Sequence, residues 1–212
     1  MKIGIIGAGN IGGNAAKLFA KAGHEIAIAN SREPETLADF VAEIGGNAKS
    51  VTVKEAAKFG EIVFISIPFG HYKELPVDKF DGKIVIDSNN YYPDRDGQFE
   101  EIDDGKITSS ELLAEHLTGA IVIKAFNTIW FEHLKTQGNL DLAMDERRVI
   151  FVAGDDDAAK KVVSDLIEEI GFAPYNTGSL SFGGKTQEPG TAVYNRDLTN
   201  KEAAAILGSE GY

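Results

Sequence analysis

The residues best placed for chemistry stand at the head of the chain. Gly7-Ala8-Gly9-Asn10-Ile11-Gly12 follows the apolar run Ile3 to Ile6, and Asn30-Ser31-Arg32 ends a second apolar run, Ile26-Ala27-Ile28-Ala29. Gly7 allows a tight turn at the end of a strand. Gly9 lets a ligand's pyrophosphate come close to the backbone, and Gly12 lets the next helix lie against the strand. That helix begins at Asn10 and Ile11 with free N–H groups and the positive end of its dipole facing the phosphates. The order strand, glycine turn, helix, strand suits a dinucleotide, the alternative being a glycine-rich turn with no ligand.

The end of the second run chooses between cofactors. NAD-binding chains usually place Asp or Glu about 20 residues past the glycines to hold the ribose hydroxyls. Here Asn30 stands 23 residues past Gly7, followed by Ser31 and Arg32. A carboxylate would repel a 2′-phosphate; Asn30 does not. Ser31 offers a hydroxyl and Arg32 a two-pronged donor for phosphate oxygens. A plainer reading makes Ser31 the cap of a helix that has Pro34 in its first turn, and Arg32 a solvated charge. The two readings are compatible, and the expected cofactor is NADP(H).

In an open parallel sheet, ligands sit beyond the carboxyl ends of the strands, where the strand order switches. Those ends are Ser66-Ile67-Pro68-Phe69, Ser88-Asn89-Asn90-Tyr91 and Ala125-Phe126-Asn127-Thr128, with Lys124 and His71 as the expected ionisable groups nearby. No Ser-His-Asp set, carboxylate pair or metal spacing converges there, so no catalytic residue is assigned and no metal is expected. Hydride transfer between stacked rings can work by positioning alone. Reduction of a ketone or imine would call for a protein acid, for which Lys124 or His71 could serve. Lys124 at a strand end could equally brace the backbone.

Positioning these residues requires a doubly wound α/β sheet. Ile62 to Ile67, Ile84 to Ile86, Ile121 to Ile123 and Val149 to Val152 are apolar throughout, as strands covered on both faces are, and Ala48 to Val53 is a shorter candidate. Between the runs, Ile11, Ala15, Leu18 and Ala22 recur at helical spacing and predict a face packed on the sheet, ended by Gly23. Leu37 to Ile44 and Lys54 to Phe59 predict further helices. Asp155-Asp156-Asp157 reads as the capped start of another, ended by Gly171, and not as a metal site. The expectation is a Rossmann-like, doubly wound sheet of about eight mostly parallel strands. It comprises an NADP-binding domain over 1–178 and a tail over 179–212 that completes the pocket or a subunit interface. The polar stretch from Asn89 to Lys106 reads as a solvated surface loop.

Composition narrows the classes. A hydrophobic content of 43% with 25% charged residues is a globular mixture. A net charge of −12 argues against nucleic acid or an anionic membrane as partner, and leaves an anionic cofactor to be held by local groups. The absence of cysteine excludes disulfides and thiolate or cysteine–metal chemistry. With no leader ahead of the first strand and no membrane-length apolar run, the cytoplasm is the expected location.

Together, Gly7-Ala8-Gly9-Asn10-Ile11-Gly12, Asn30-Ser31-Arg32, Ser66-Ile67-Pro68-Phe69-Gly70-His71, Lys124-Ala125-Phe126-Asn127-Thr128-Ile129 and Ala153-Gly154-Asp155-Asp156-Asp157 make the chain recognisable. Over residues 1 to 180 it resembles the deazaflavin-coenzyme (F420)-dependent NADP oxidoreductases, whose domain also occurs in six-transmembrane metalloreductases. The resemblance implies NADP bound by the glycine loop (Gly7, Gly9, Asn10, Ile11, Gly12) and by Asn30, Ser31 and Arg32. It sets the nicotinamide over the later strand ends, near Ser66, Ile67, Pro68, His71, Ala125 and Asn127. The tail departs: Gly183-Gly184-Lys185-Thr186-Gln187-Glu188-Pro189 replaces the apolar helical segment of the deazaflavin-using enzymes. The acceptor therefore stays open among a deazaflavin, a flavin and a small carbonyl or quinone compound. A carbonyl or imine reductase, aided by a second subunit in a homodimer, and a non-enzymatic NADP sensor are the alternatives.

Overall fold

The computed structural model describes residues 1–209. Eight strands form one sheet: β1 (Lys2–Ile6), β2 (Glu25–Ala29), β3 (Ala48–Ser50), β4 (Ile62–Ile65), β5 (Ile84–Asp87), β6 (Ile121–Ala125), β7 (Val149–Ala153) and β8 (Ala173–Gly178). Their order is β3-β2-β1-β4-β5-β6-β7-β8, and every neighbouring pair is parallel except β6 with β7. The chain runs outward from β1 to β3, then crosses back to place β4 on the other side of β1. That reversal opens a crevice above the carboxyl ends of β1 and β4.

The apolar strands are explained by cover on both faces. In β4, Ile62 and Phe64 face a cluster that includes Ala15, Ala16 and Phe19 of α1 (Asn10–Lys21) and Val163 and Leu166 of α8 (Asp157–Glu169). Val63 and Ile65 face the opposite cluster, with Ala56 and Ala57 of α3 (Val53–Phe59) and Leu112 and Leu113 of α6 (Ser109–His116). The buried face of α1 is Gly12, Gly13, Ala15, Ala16, Phe19 and Ala20. The predicted stripe is thus rotated: Ile11 and Leu18 are only half-buried and Ala22 is exposed. The cause is Phe19, which packs edge-on against the touching rings of Phe64 and Phe126 with centroids 6.1 Å from each. A large ring in a dense core outweighs two aliphatic side chains.

The acidic triplet opens α8 as the sequence suggests, with the Asp156 carboxylate accepting from the Ala159 N–H at 2.8 Å. Asp155 reaches instead to the Leu180 N–H at 3.0 Å and ties the tail to this helix. Ser31 does not cap the next helix. A 3₁₀ turn over Pro34–Leu37 precedes α2 (Ala38–Ile44), Glu33 holds the cap position, and Pro34 is in the first turn.

Two segments differ more from expectation. Residues 89–106 are largely exposed, as expected, but are not a plain loop: they carry two single-turn helices, α4 (Pro93–Asp96) and α5 (Glu100–Asp103). Asp96 buries its side chain to 1% exposure against Arg95. After β8 the chain makes α9 (Phe182–Thr186), returns across the sheet ends, and finishes in α10 (Asn200–Ser209). Leu198 and Ala203 pack there on Val149, Phe151 and Ala173.

Gly12 is where the close approach of helix and strand is tightest. A Cβ on it would lie 1.9 Å from the Gly7 carbonyl oxygen, whereas one on Gly9 would meet nothing within 4 Å. Gly12→Ala should therefore destabilise the fold by about 1–3 kcal/mol, the usual scale of overpacking. Urea unfolding of that variant beside Gly9→Ala checks this, and Gly9→Ala should unfold closer to wild type.

Candidate dinucleotide and acceptor site

A cavity of about 360 Å³ lies over the reversal in strand order. Four strand ends supply its walls: Gly9, Asn10 and Ile11 after β1; Ser66, Ile67 and Pro68 after β4; Ser88, Asn89 and Asn90 after β5; Phe126, Asn127, Ile129 and Trp130 after β6. Tyr92 and Arg95 of the former "loop" and Tyr194 and Asn195 of the tail complete it. Gly7 turns the chain with φ +106, and its N–H donates to the Ala29 carbonyl at 2.9 Å, which sets Asn30 beside the glycine turn.

The α1 N-terminus is suited to an anion. Its cap position is Gly9, no side chain caps it, and its first turn has no acidic residue. Asn30 shapes the adjoining loop: its Oδ1 accepts from the Arg32 N–H at 2.8 Å, and its Nδ2 donates to Thr36 Oγ1 at 3.0 Å. Ser31 and Arg32 are exposed, and the Arg32 guanidinium makes no hydrogen bond or ion pair within the described residues. Asn30 thus organises the loop while its two neighbours present their donors to solvent.

Beneath the cavity, Lys124 is fully buried. Its Nζ donates to Ser110 Oγ at 2.8 Å and to the Asn89 carbonyl at 3.3 Å, and lies 3.8 Å from Asp87. Asp87, opposite it in register on β5, accepts from Ser110 Oγ at 2.6 Å and from the Asn89 N–H at 3.0 Å. Lys124 is therefore the brace of the two expected roles, not a proton donor facing the cavity. His71 is also outside the cavity lining, exposed and bonded to Glu74 at 2.8 Å. Ala125 is buried behind the wall. Of the other histidines, His24 holds Glu169 at 2.7 Å and His133 holds Asp197 at 2.8 Å, while His116 meets the Leu75 carbonyl at 3.2 Å.

The ionisable groups that do line the cavity are Tyr92, Arg95 and Tyr194, none of them assigned from sequence. Tyr92 follows a strand end at a distance that could have been noticed, but nothing in the tail's sequence marks Tyr194. Asn127, 3% exposed, donates to the Gln187 carbonyl at 2.6 Å and to Asn90 Oδ1 at 3.0 Å, while its Oδ1 has no partner among the described residues. Asn89, 2% exposed, accepts from the Ile67 N–H at 2.8 Å, and its Nδ2 is likewise unpaired. One unpaired acceptor and one unpaired donor in the cavity wall match an amide such as a nicotinamide carboxamide. Each buried polar group left so costs about 1–3 kcal/mol. With the open space at Gly9, these residues fit a dinucleotide. Among the described residues, no three His, Cys, Asp or Glu side chains are grouped to hold a metal ion, and no helix is long and apolar enough to cross a membrane.

Comparison with known proteins agrees with this geometry. Residues 2–91 match the family described as NADP oxidoreductase, coenzyme F420-dependent. A hypothetical protein, SMa0349, of Sinorhizobium meliloti is 31% identical with a TM-score of 0.80, over 94% of this chain and 95% of that one. A candidate F420-dependent NADP reductase of Arthrobacter sp. FB24 is 21% identical with a TM-score of 0.73, over 94% and 99%, a likeness of fold. Metalloreductase STEAP3 of Rattus norvegicus is 28% identical over 182 residues, 85% of this chain. The chain spans about a third, 34%, of the length of that curated relative.

The tail adds a titratable link to the brace. Burial pushes the Glu188 carboxyl up, although Lys124 and the Ser109 N–H pull it down. A raised carboxyl means that the folded state holds its proton more tightly than the unfolded chain. Its contribution is therefore lost as pH rises from the ordinary carboxylate range through the raised value. Glu188→Gln should gain stability relative to wild type between about pH 4 and pH 7. Urea unfolding at both pH values checks the sign, and a constant difference would refute it.

Proposed function

Because the chain belongs to the NADP oxidoreductase, coenzyme F420-dependent family, we propose that it moves hydride between NADP(H) and a flavin- or deazaflavin-type acceptor. The observation that carries the reading is the single cavity wall shared by the glycine turn, with its uncapped helix, and by the ends of β4, β5 and β6. One ligand can lie along the turn while its reactive end reaches the later strands.

Each of the chain's residues has a separate task in this proposal. The N–H groups that begin α1 at Asn10 and Ile11, approached over Gly9 and made accessible by Gly7 and Gly12, hold the pyrophosphate. Ser31 and Arg32, oriented by Asn30, hold the 2′-phosphate. Asn127 Oδ1 and Asn89 Nδ2 take the carboxamide, and Ser66, Ile67 and Pro68 shape the floor beneath the ring. The bound cofactor supplies the hydride from its nicotinamide. Trp130, 48% exposed at the cavity's edge, offers a flat surface for a planar acceptor, and Ile11, Ile129 and Phe131 exclude water from the contact. The setting proposed is the cytoplasm, with a small molecule as the partner.

Arg32→Ala should weaken NADPH by about 1.5–3 kcal/mol, the scale of a hydrogen bond to a charged group, and weaken NADH much less. Calorimetry with both dinucleotides checks this; equal losses would overturn the role of Arg32. Stopped-flow oxidation of NADPH with FMN and with a deazaflavin checks the acceptor, and a rate no faster than buffer with either would overturn it.

A further inference from the structure

Two phenols meet at the cavity from distant parts of the chain. Tyr92 precedes α4 and Tyr194 belongs to the tail, and their hydroxyl oxygens lie 2.5 Å apart. Asn90 Nδ2 donates to the Tyr194 hydroxyl at 3.3 Å. Two phenols carry two hydrogens, and the bond between them uses one. Among the described residues no acceptor receives the other, and both side chains line the cavity. The pair therefore holds a hydrogen that a ligand in the cavity can accept.

The surroundings keep that hydrogen on the pair and fix the pair at the cavity. The Arg95 guanidinium, ion-paired with Asp96, sits 4.9 Å over the Tyr92 ring and holds that ring at the cavity. Burial and the bond from Tyr92 push the Tyr194 phenol up, so it remains a neutral phenol with its hydrogen in place. The backbone is strained at the same place. Phe126 at φ 68 and Asn195 at φ 54 are the non-glycine residues with positive φ in the described chain, and both line the cavity. The Asn195 N–H is fastened to the Thr128 carbonyl at 2.9 Å, which fixes Tyr194 over the strand ends. Strain retained at one cavity is the pattern of a site whose geometry is held for function.

We propose that this cavity also reduces small carbonyl compounds, with the Tyr92–Tyr194 pair as the proton donor. Hydride from NADPH adds to the carbonyl carbon and the C=O π pair moves to oxygen. The phenol pair gives that oxygen a proton, and the open mouth lets solvent reprotonate the phenolate. The products are an alcohol and NADP⁺, with one proton taken from water. At about 360 Å³ the cavity is near the small end of ligand pockets, ~300–1,000 Å³, and suits a one-ring compound beside the nicotinamide. The inference rests on the NADP(H) reading above.

The test uses 4-nitrobenzaldehyde as substrate and the full chain. Wild type should oxidise NADPH in single turnover and form the alcohol, more slowly in D₂O. Tyr92→Phe and Tyr194→Phe should each slow that step by about 10²-fold or more, the usual contribution of a general acid, with NADPH affinity by calorimetry held within about twofold. Trp130 is the chain's single tryptophan and lines the cavity, so its fluorescence reads ligand entry without turnover. 4-Nitrobenzyl alcohol should quench it saturably in wild type and bind more weakly to Tyr194→Phe. Unchanged aldehyde reduction in both variants, or a parallel loss of NADPH affinity, overturns the donor assignment. Protein that binds NADPH but neither reduces the aldehyde nor binds the alcohol overturns carbonyl reduction alone. Protein that binds no NADPH overturns both readings.

Discussion

A fully buried ion pair underlies the site. Lys124 on β6 and Asp87 on β5 sit side by side with no exposed side-chain surface, and their shared partner is Ser110 of α6. A charge so placed is tolerable only because the other is there; removal of one partner from such a pair typically costs 3–5 kcal/mol. The pair also holds the backbone of Asn89 through both its N–H and its carbonyl. Asn89 in turn fixes Ile67, and Asn90 and Asn127 are bonded to each other. The floor of the cavity is thus a polar network anchored on one charge pair.

The same pair recruits the tail. Gly184 passes over the Lys124 stem, with its Cβ position 3.7 Å from Lys124 Cδ, and Glu188 comes within reach of the Lys124 charge. Gln187 binds Asn127, and Asn195 binds the Thr128 carbonyl. Residues that follow the last strand therefore act as a strap over the first seven strands' work, and bring Tyr194 to Tyr92. Arg148 and Asp197 form a close ion pair that anchors the far end of this strap beside α7 (Phe131–Thr136).

Electrostatics separates the two ends of the site. The chain is strongly acidic, so attraction for an anionic dinucleotide has to be local. In the proposed binding mode it comes from a helix without acidic first-turn residues and from Arg32. The other end carries no free carboxylate among its lining residues. Asp96, beside Arg95 of the lining, is neutralised in place. Burial alone would raise its carboxyl, but Arg95 and the Tyr92 and Gly70 N–H groups hold it below the usual range.

The sequence by itself determined the parts of the fold whose physics is local. Apolar runs report strands covered on both faces, and the glycine spacing reports a turn whose atoms would otherwise collide; the apolar runs became β1, β2 and β4 through β7, and the capped start of α8 held, while β8 follows no apolar run and was not legible. The placement of Asn30, Ser31 and Arg32 beside the glycine turn was legible for the same reason, since they follow directly on a strand that pairs with β1. Only the tertiary structure decided which charged and phenolic groups reach the cavity. Lys124 looked available at a strand end but turns inward, because Asp87 and Ser110 are nearer to it than solvent is. Residues 89–106 are largely solvated, yet Asp96 turns in against Arg95 and so sets Tyr92 and Arg95 at the cavity. Tyr194 lies 102 residues from Tyr92, and a contact at that separation is set by how the strap crosses the sheet, which no local pattern encodes.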